Sequence, residues 1–167
     1  MTANPTPSDS NQVLNFEDLE IGQRFISGTH LVDEAQIKAF AAQFDPQPFH
    51  LDHEAGTSSL FGGLVASGWH TASITMRLMV DHGVPIAGGL IGAGAEISWP
   101  KPTRPDSILH VESEIIDLKS SRSRPDRGIA TIRSETRDQT GDVLQVLVAK
   151  LIVFRRTTET PLDPPTP

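Results

Sequence analysis

The chain contains no cysteine, so disulfides, thiolate metal sites and a cysteine nucleophile are all excluded. No apolar run approaches the length that spans a bilayer, so no membrane partner is expected. Met1 to Leu14 is polar and has no apolar core of signal-peptide type, which makes the cytoplasm the expected location. Positive charge is short as well. Fourteen Lys and Arg against 21 Asp and Glu give a formal net charge of −7 and a pI near 5.3. A nucleic-acid binder usually presents a basic face, so that class of partner is disfavoured. Aromatic residues make up only 5% of the chain, and tyrosine is absent.

What is present suits a soluble enzyme-sized domain. The 167 residues are 37% hydrophobic and 21% charged, enough for one real core and too apolar for a disordered chain. Residues 1–14 are rich in Ser, Thr, Asn and Pro and read as a disordered arm. Residues 156–167 read as a disordered, proline-rich tail, leaving 15–155 as one folded unit with no internal repeat.

Within that unit, Arg24 to Leu31 reads as a first strand. Asp33 is placed to cap a short helix through Gln43, whose Ile37, Phe40 and Ala41 share one face. Ser67 is a good N-cap for a longer helix from Gly68 to about Asp81, closed by His82-Gly83. Trp69, Ala72, Met76, Met79 and Val80 give it a broad apolar surface, with Ile74 and Leu78 opposite, as for a helix wrapped by a sheet. Four strand-like runs follow: the alternating segment from Ala93 to Trp99, then Leu109 to Leu118, Ile129 to Arg137 and Val143 to Phe154. The last two are joined by the hairpin-type turn Gln139-Thr140-Gly141-Asp142. The order predicts an α+β fold, one helix wrapped by an antiparallel sheet.

The stretch with chemistry in it is Phe44-Asp45-Pro46-Gln47-Pro48-Phe49-His50-Leu51-Asp52. It places a carboxylate and an imidazole five residues apart on a loop stiffened by two prolines, which bias Asp45 and Gln47 out of helix. Asp52 reads as a group that caps or bonds the loop backbone. His50, Asp52, His53 and Glu54 cluster in sequence, but two histidines at i, i+3 match no zinc spacing, and no metal is expected. The glycine-rich run Gly88 to Gly94 leads into a strand and lacks a following Lys-Ser/Thr, so it is not a phosphate loop. His70 is placed either at a pocket or in the core, and His30, His82 and His110 read as surface or edge residues. Arg122, Arg124 and Arg127 read as a solvated basic turn.

From about Phe16 to Phe154 the chain resembles the MaoC-like dehydratases and (R)-specific enoyl-CoA hydratases. That family has a hotdog fold and the signature Asp-x-Asn-Pro-x-His-x-Asp. Here the signature reads Asp45-Pro46-Gln47-Pro48-Phe49-His50-Leu51-Asp52, with Gln47 in place of the asparagine. The family's glycine at the mouth of the central helix matches Gly68, preceded by Ser67 where many members have histidine. Its Pro-Val-Arg-Pro-Gly-Asp turn is mirrored by Pro102-Thr103-Arg104-Pro105-Asp106.

The resemblance implies a single hotdog domain that hydrates a trans-2-enoyl thioester or dehydrates a 3-hydroxyacyl thioester. It implies Asp45 and His50 as the catalytic pair and the Gly68 N–H as oxyanion donor. Gln47, Phe49, Ser67, Trp69 and Trp99 are the implied substrate contacts. Coenzyme A enters as part of the substrate, no separate cofactor is implied, and a homodimer or higher homo-oligomer is expected. The chemistry suits these residues. Water must be deprotonated and aimed at C3, C2 must receive a proton, and the thioester oxygen needs a donor as the enolate forms. Two alternatives stay open at this point: a hotdog thioesterase and a non-catalytic acyl-thioester binding module. Acyl length, the choice between coenzyme A and an acyl carrier protein, and which of Asp45 and His50 deprotonates water are left open by the sequence.

Overall fold

Period-2 alternation of apolar residues dictates the sheet, and a computed structural model shows it for residues 13–157, the part of the chain described here. The strands are β1 (Arg24–Ile26), β2 (His30–Val32), β3 (Ile91–Ser98), β4 (Ser107–Ser120), β5 (Arg127–Arg137) and β6 (Val143–Phe154). They form an antiparallel sheet in the order β1-β4-β5-β6-β3, with β2 also paired to β4. Along β4, Leu109, Val111, Ser113 and Ile115 point inward; along β5, Ala130, Ile132, Ser134 and Thr136 do so. The register Ile115↔Ile132↔Ala149 lines these faces up across three strands. Each fully buried Ile or Leu there contributes roughly 1.5–3 kcal/mol by leaving water.

Among the described residues, four α-helices accompany the sheet: α1 (Glu34–Phe44), α2 (Pro48–Leu51), α3 (His53–Thr57) and α4 (Gly68–Leu78). Helix α4 is the central one, and the sheet wraps it, as the α+β hotdog reading requires. It passes into a π turn at Met79–Gly83, closed by the Val84 N–H on the Met79 carbonyl at 3.0 Å. No helix among the described residues is long and apolar enough to cross a membrane.

Three expectations need correction, and two fall mainly outside the described residues. The single first strand is two, because Ser27 to Thr29 face only His110 and Val111 on β4. Ser27 pins that bulge, donating its N–H to Val111 O and accepting the Val111 N–H on Oγ, both at 2.9 Å. The loop after Asp45 is largely helical, since Pro48 sits at the first position of α2 with its φ already suitable. The buried face of α4 is His70, Thr71, Ile74, Thr75 and Leu78, whereas Trp69, Met76 and Val80 are exposed. Threonines can face inward because their hydroxyls are paired, Thr71 with Thr103 of the segment between β3 and β4 at 2.8 Å and Thr75 with Thr136 of β5 at 2.6 Å. The expected arm lies outside the described residues except for Val13 and Leu14. Leu14 is paired: its N–H donates to Pro85 O at 2.7 Å and its carbonyl accepts from Ala87 N at 2.9 Å. The expected tail lies outside the described residues beyond 157.

Candidate active site

Helix α1 ends where the sequence says it must. Pro46 disfavours helical geometry at Asp45, which takes φ −150° and ψ 67° while its N–H still bonds Ala41 O at 2.9 Å. Gln47 precedes Pro48 and is extended, at φ −78° and ψ 140°, and Pro48 then opens the single turn of α2. That turn carries His50 back beside Asp45, with His50 Nε2 3.3 Å from Asp45 Oδ2. Beyond it, Asp52 caps α3 by accepting the Ala55 N–H at 2.9 Å. Gly56 of α3 lets the chain return: a Cβ there would lie 2.7 Å from the Gly63 carbonyl carbon and the Leu64 nitrogen. The returning strand of backbone delivers Val65, Ser67 and the start of α4 to the pair.

His50 is buried, and its Nδ1 lies 2.7 Å from the Val65 carbonyl. A carbonyl only accepts, so Nδ1 carries the proton, and in the neutral ring Nε2 is the bare nitrogen facing Asp45. Two donors hold Asp45. Ser67 Oγ donates to Oδ2 at 2.6 Å, Gln47 Nε2 donates to Oδ1 at 2.8 Å, and His50 flanks Oδ2. The Ser67 hydroxyl first, then the Gln47 amide, hold the Asp45 carboxyl below its ordinary value against an opposing push from partial burial, and His50 adds to this only when its Nε2 carries a proton. Ser67 also caps α4, accepting the Trp69 N–H on the same Oγ at 3.2 Å. The cap and the carboxylate therefore share one hydroxyl.

Gly68 is the first residue of α4, and the helix leaves its N–H unpaired at the positive end of the dipole. No larger residue fits: a Cβ would lie 2.8 Å from Trp99 Cε2. These groups open on a cavity of about 680 Å³ whose wall includes Asp45, Gln47, His50, Gly68, Trp69 and Trp99. Phe49 lines it too, edge-on to His50, and Lys101 and Arg104 bring positive charge to it. Seven of the eight residues singled out from the sequence thus meet in one cavity. The eighth, Ser67, is fully buried and touches the site through Asp45.

Other candidates fall elsewhere. His70 does not line the cavity; it is buried and stacked on Phe40 at 4.7 Å, and burial first, then His30, pushes its imidazole below the usual value, opposed by Asp33. His53 pairs with Glu34 at 2.8 Å, and among the described residues no cluster of three or more His, Cys, Asp or Glu could hold a metal. Arg127 pairs with Asp126 and lies over Phe154. Sequence reasoning missed Gln145, whose side chain reaches Trp99 from inside the core. One polar residue on the inward phase of an otherwise apolar strand was the available signal.

Comparison with known proteins bears on the family and the fold. The sequence matches the MaoC like domain over residues 17–137. The crystal structure of a MaoC-like dehydratase from Rhodospirillum rubrum is 60% identical and superposes with a TM-score of 0.85, over 86% of this chain and 99% of that one. The uncharacterized protein YdeM of Bacillus subtilis (strain 168) is 33% identical over 129 residues, 75% of this chain and 89% of its own. A 3-hydroxybutyryl-CoA dehydratase of Methylorubrum extorquens is 29% identical over 119 residues, 68% of this chain and 71% of its own. With its Asp-x4-His pair seated at the mouth of the central helix, the chain belongs to the MaoC-like dehydratase family, of hotdog fold.

Proposed function

We propose that this chain is an acyl-thioester hydratase/dehydratase that adds water reversibly to a trans-2-enoyl-CoA. The orientation of His50 carries this reading. With Nδ1 committed to Val65 O, the bare Nε2 faces the Asp45 carboxylate beside the open N-terminus of α4. Asp45, held ionised, is an acceptor only, so it aims a water molecule by taking one of its hydrogens in a bond. His50 Nε2 removes the other proton as the water oxygen bonds to C3. The displaced π electrons move through C2 onto the thioester oxygen, where the Gly68 N–H stabilises the enolate. The enolate collapses, C2 takes the proton from Nε2, and the ring returns to neutral. Water is split between C3 and C2, and the protein is unchanged. One imidazole taking and returning the proton places H and OH on the same face. A positioned base supplies ~10²–10⁴-fold and an oxyanion donor about 10²–10³-fold.

The family and the similarity to a 3-hydroxybutyryl-CoA dehydratase support the substrate class. A homodimer belongs to the same reading. Strand β3 ends the sheet with residues 91–96 exposed, and Trp69, Met76 and Val80 are exposed apolar residues of the central helical segment. Sedimentation as a stable monomer would count against it.

Crotonyl-CoA incubated in deuterated water tests the reaction. The expected product is 3-hydroxybutyryl-CoA with one solvent deuterium at C2 and no free thiol. Release of coenzyme A would mean thioester hydrolysis instead, and bound but unchanged thioester would mean a binding module.

A further inference from the structure

Strand β6 buries one amide among apolar side chains. Gln145 shares its inward face with Leu147, Ala149, Leu151 and Val153 and is fully buried. An amide taken out of water without partners is strongly disfavoured, so its bonds decide whether it is tolerated. Oε1 accepts from Trp99 Nε1 at 2.9 Å, and Nε2 donates to Thr75 Oγ1 at 2.9 Å. Indole N–H is a donor only, which fixes the amide's orientation. Thr75, fully buried on the inner face of α4, lies 2.9 Å from Thr71 O and 2.6 Å from Thr136 Oγ1 of β5. With its one proton on Thr71 O, it accepts from both Gln145 and Thr136.

The other end of this relay is the cavity wall. The Trp99 indole lies flat against Gly68, so close that a Cβ there would be 2.8–3.1 Å from three of its ring atoms. Trp69 closes on it at 5.5 Å between centroids, at an interplanar angle of 78°. The indole therefore sets how much room lies beside the Gly68 N–H. Apolar packing alone would let a ring just past the end of β3 slide; a bond from its nitrogen into the core does not.

We propose that Trp99 is a specificity-determining residue and Gln145 a positioning residue. The buried relay Trp99–Gln145–Thr75 locks the indole against the mouth of α4, so that the site admits acyl chains unbranched next to the thioester and rejects those branched there. This rests on reading the cavity as an acyl-thioester site.

The test uses Trp99→Phe, Gln145→Met and the double variant of the full chain. Affinities for butyryl-CoA and 2-methylbutyryl-CoA are measured by calorimetry, beside wild-type hydration of crotonyl-CoA and the melting temperature of each protein. Trp99→Phe keeps an aromatic wall but strands the Gln145 oxygen; Gln145→Met strands the indole N–H. Each single variant should melt lower, and the double variant, lacking both partners, should regain most of that loss. Each single variant should also lower the unbranched-to-branched affinity ratio by about tenfold, and the double variant should keep that shift although its stability has recovered. A ratio that returns with stability, or never departs from wild type, overturns the proposal. Wild-type hydration with an unchanged ratio sinks this proposal alone. A shifted ratio without wild-type hydration upholds it and sinks the hydratase reading alone. Failure of wild type to bind either thioester sinks both.

Discussion

Replacing Ser67 by alanine removes two hydrogen bonds with one atom. The Oγ caps α4 through the Trp69 N–H and donates to Asp45 Oδ2 from a fully buried position. Loss of a serine cap costs about 1 kcal/mol, and loss of a hydrogen bond to a charged group about 1.5–3 kcal/mol. Together they predict a loss of roughly 2.5–4 kcal/mol at neutral pH, or about 5–15 °C in Tm for a chain of this size. Ser67→Gly separates the two, because glycine caps almost as well as serine. It should recover about 1 kcal/mol and leave the Asp45 loss in place.

Acidification separates them again. Asp45 is held below its ordinary 3.8, chiefly by Ser67, so the stability it contributes is complete above that value. That stability is lost as pH falls through the depressed native value. The gap between wild type and Ser67→Ala should therefore narrow below about pH 4, down to the cap alone. Urea melts at a series of pH values read this directly. A gap that keeps its full size into acid, or that is under about 1 kcal/mol at neutral pH, would mean that Ser67 does not stabilise the Asp45 carboxylate.

Further outcomes follow from the same contacts. Gly68→Ala pushes a methyl into the Trp99 ring, 2.8 Å from Cε2, and should cost about 1–3 kcal/mol with a loss of turnover larger than that of stability; melting and kinetics on one preparation check it. Ile132→Ala empties a fully buried position where β4, β5 and β6 meet, and should lower the urea midpoint by the equivalent of about 2–5 kcal/mol without changing the slope. Glu34→Gln breaks exposed, solvent-screened pairs with Lys38 and His53 and should leave the urea midpoint where wild type has it, measured in the same melts.

The site was legible because its residues lie close in sequence. Asp45, Pro46, Gln47, Pro48 and His50 need only one proline-started turn to bring acid and imidazole together, and local rules reach that far. Ser67 was readable as a cap. That its hydroxyl also serves Asp45 depends on a contact 22 residues away, which no local rule supplies. The inner face of α4 was misjudged for a related reason. Apolarity ranks Trp69, Met76 and Val80 above Thr71 and Thr75, but the threonines are buried because their hydroxyls find partners on Thr103 and Thr136. The same blindness hid Gln145, whose burial is tolerable only through a donor on β6's neighbouring chain segment and an acceptor on α4. The break between β1 and β2 is a one-residue mismatch with β4, visible only once register is known.

In the proposed mechanism Asp45 and His50 act on one water at the mouth of α4. Its most direct test follows the ultraviolet absorbance of crotonyl-CoA with wild type, Asp45→Asn and His50→Ala, with free thiol tracked in the same samples. Wild type should consume the enoyl absorbance without thiol release, and neither variant should do so. Undiminished hydration by either variant, or thiol release in step with the absorbance change, would contradict it.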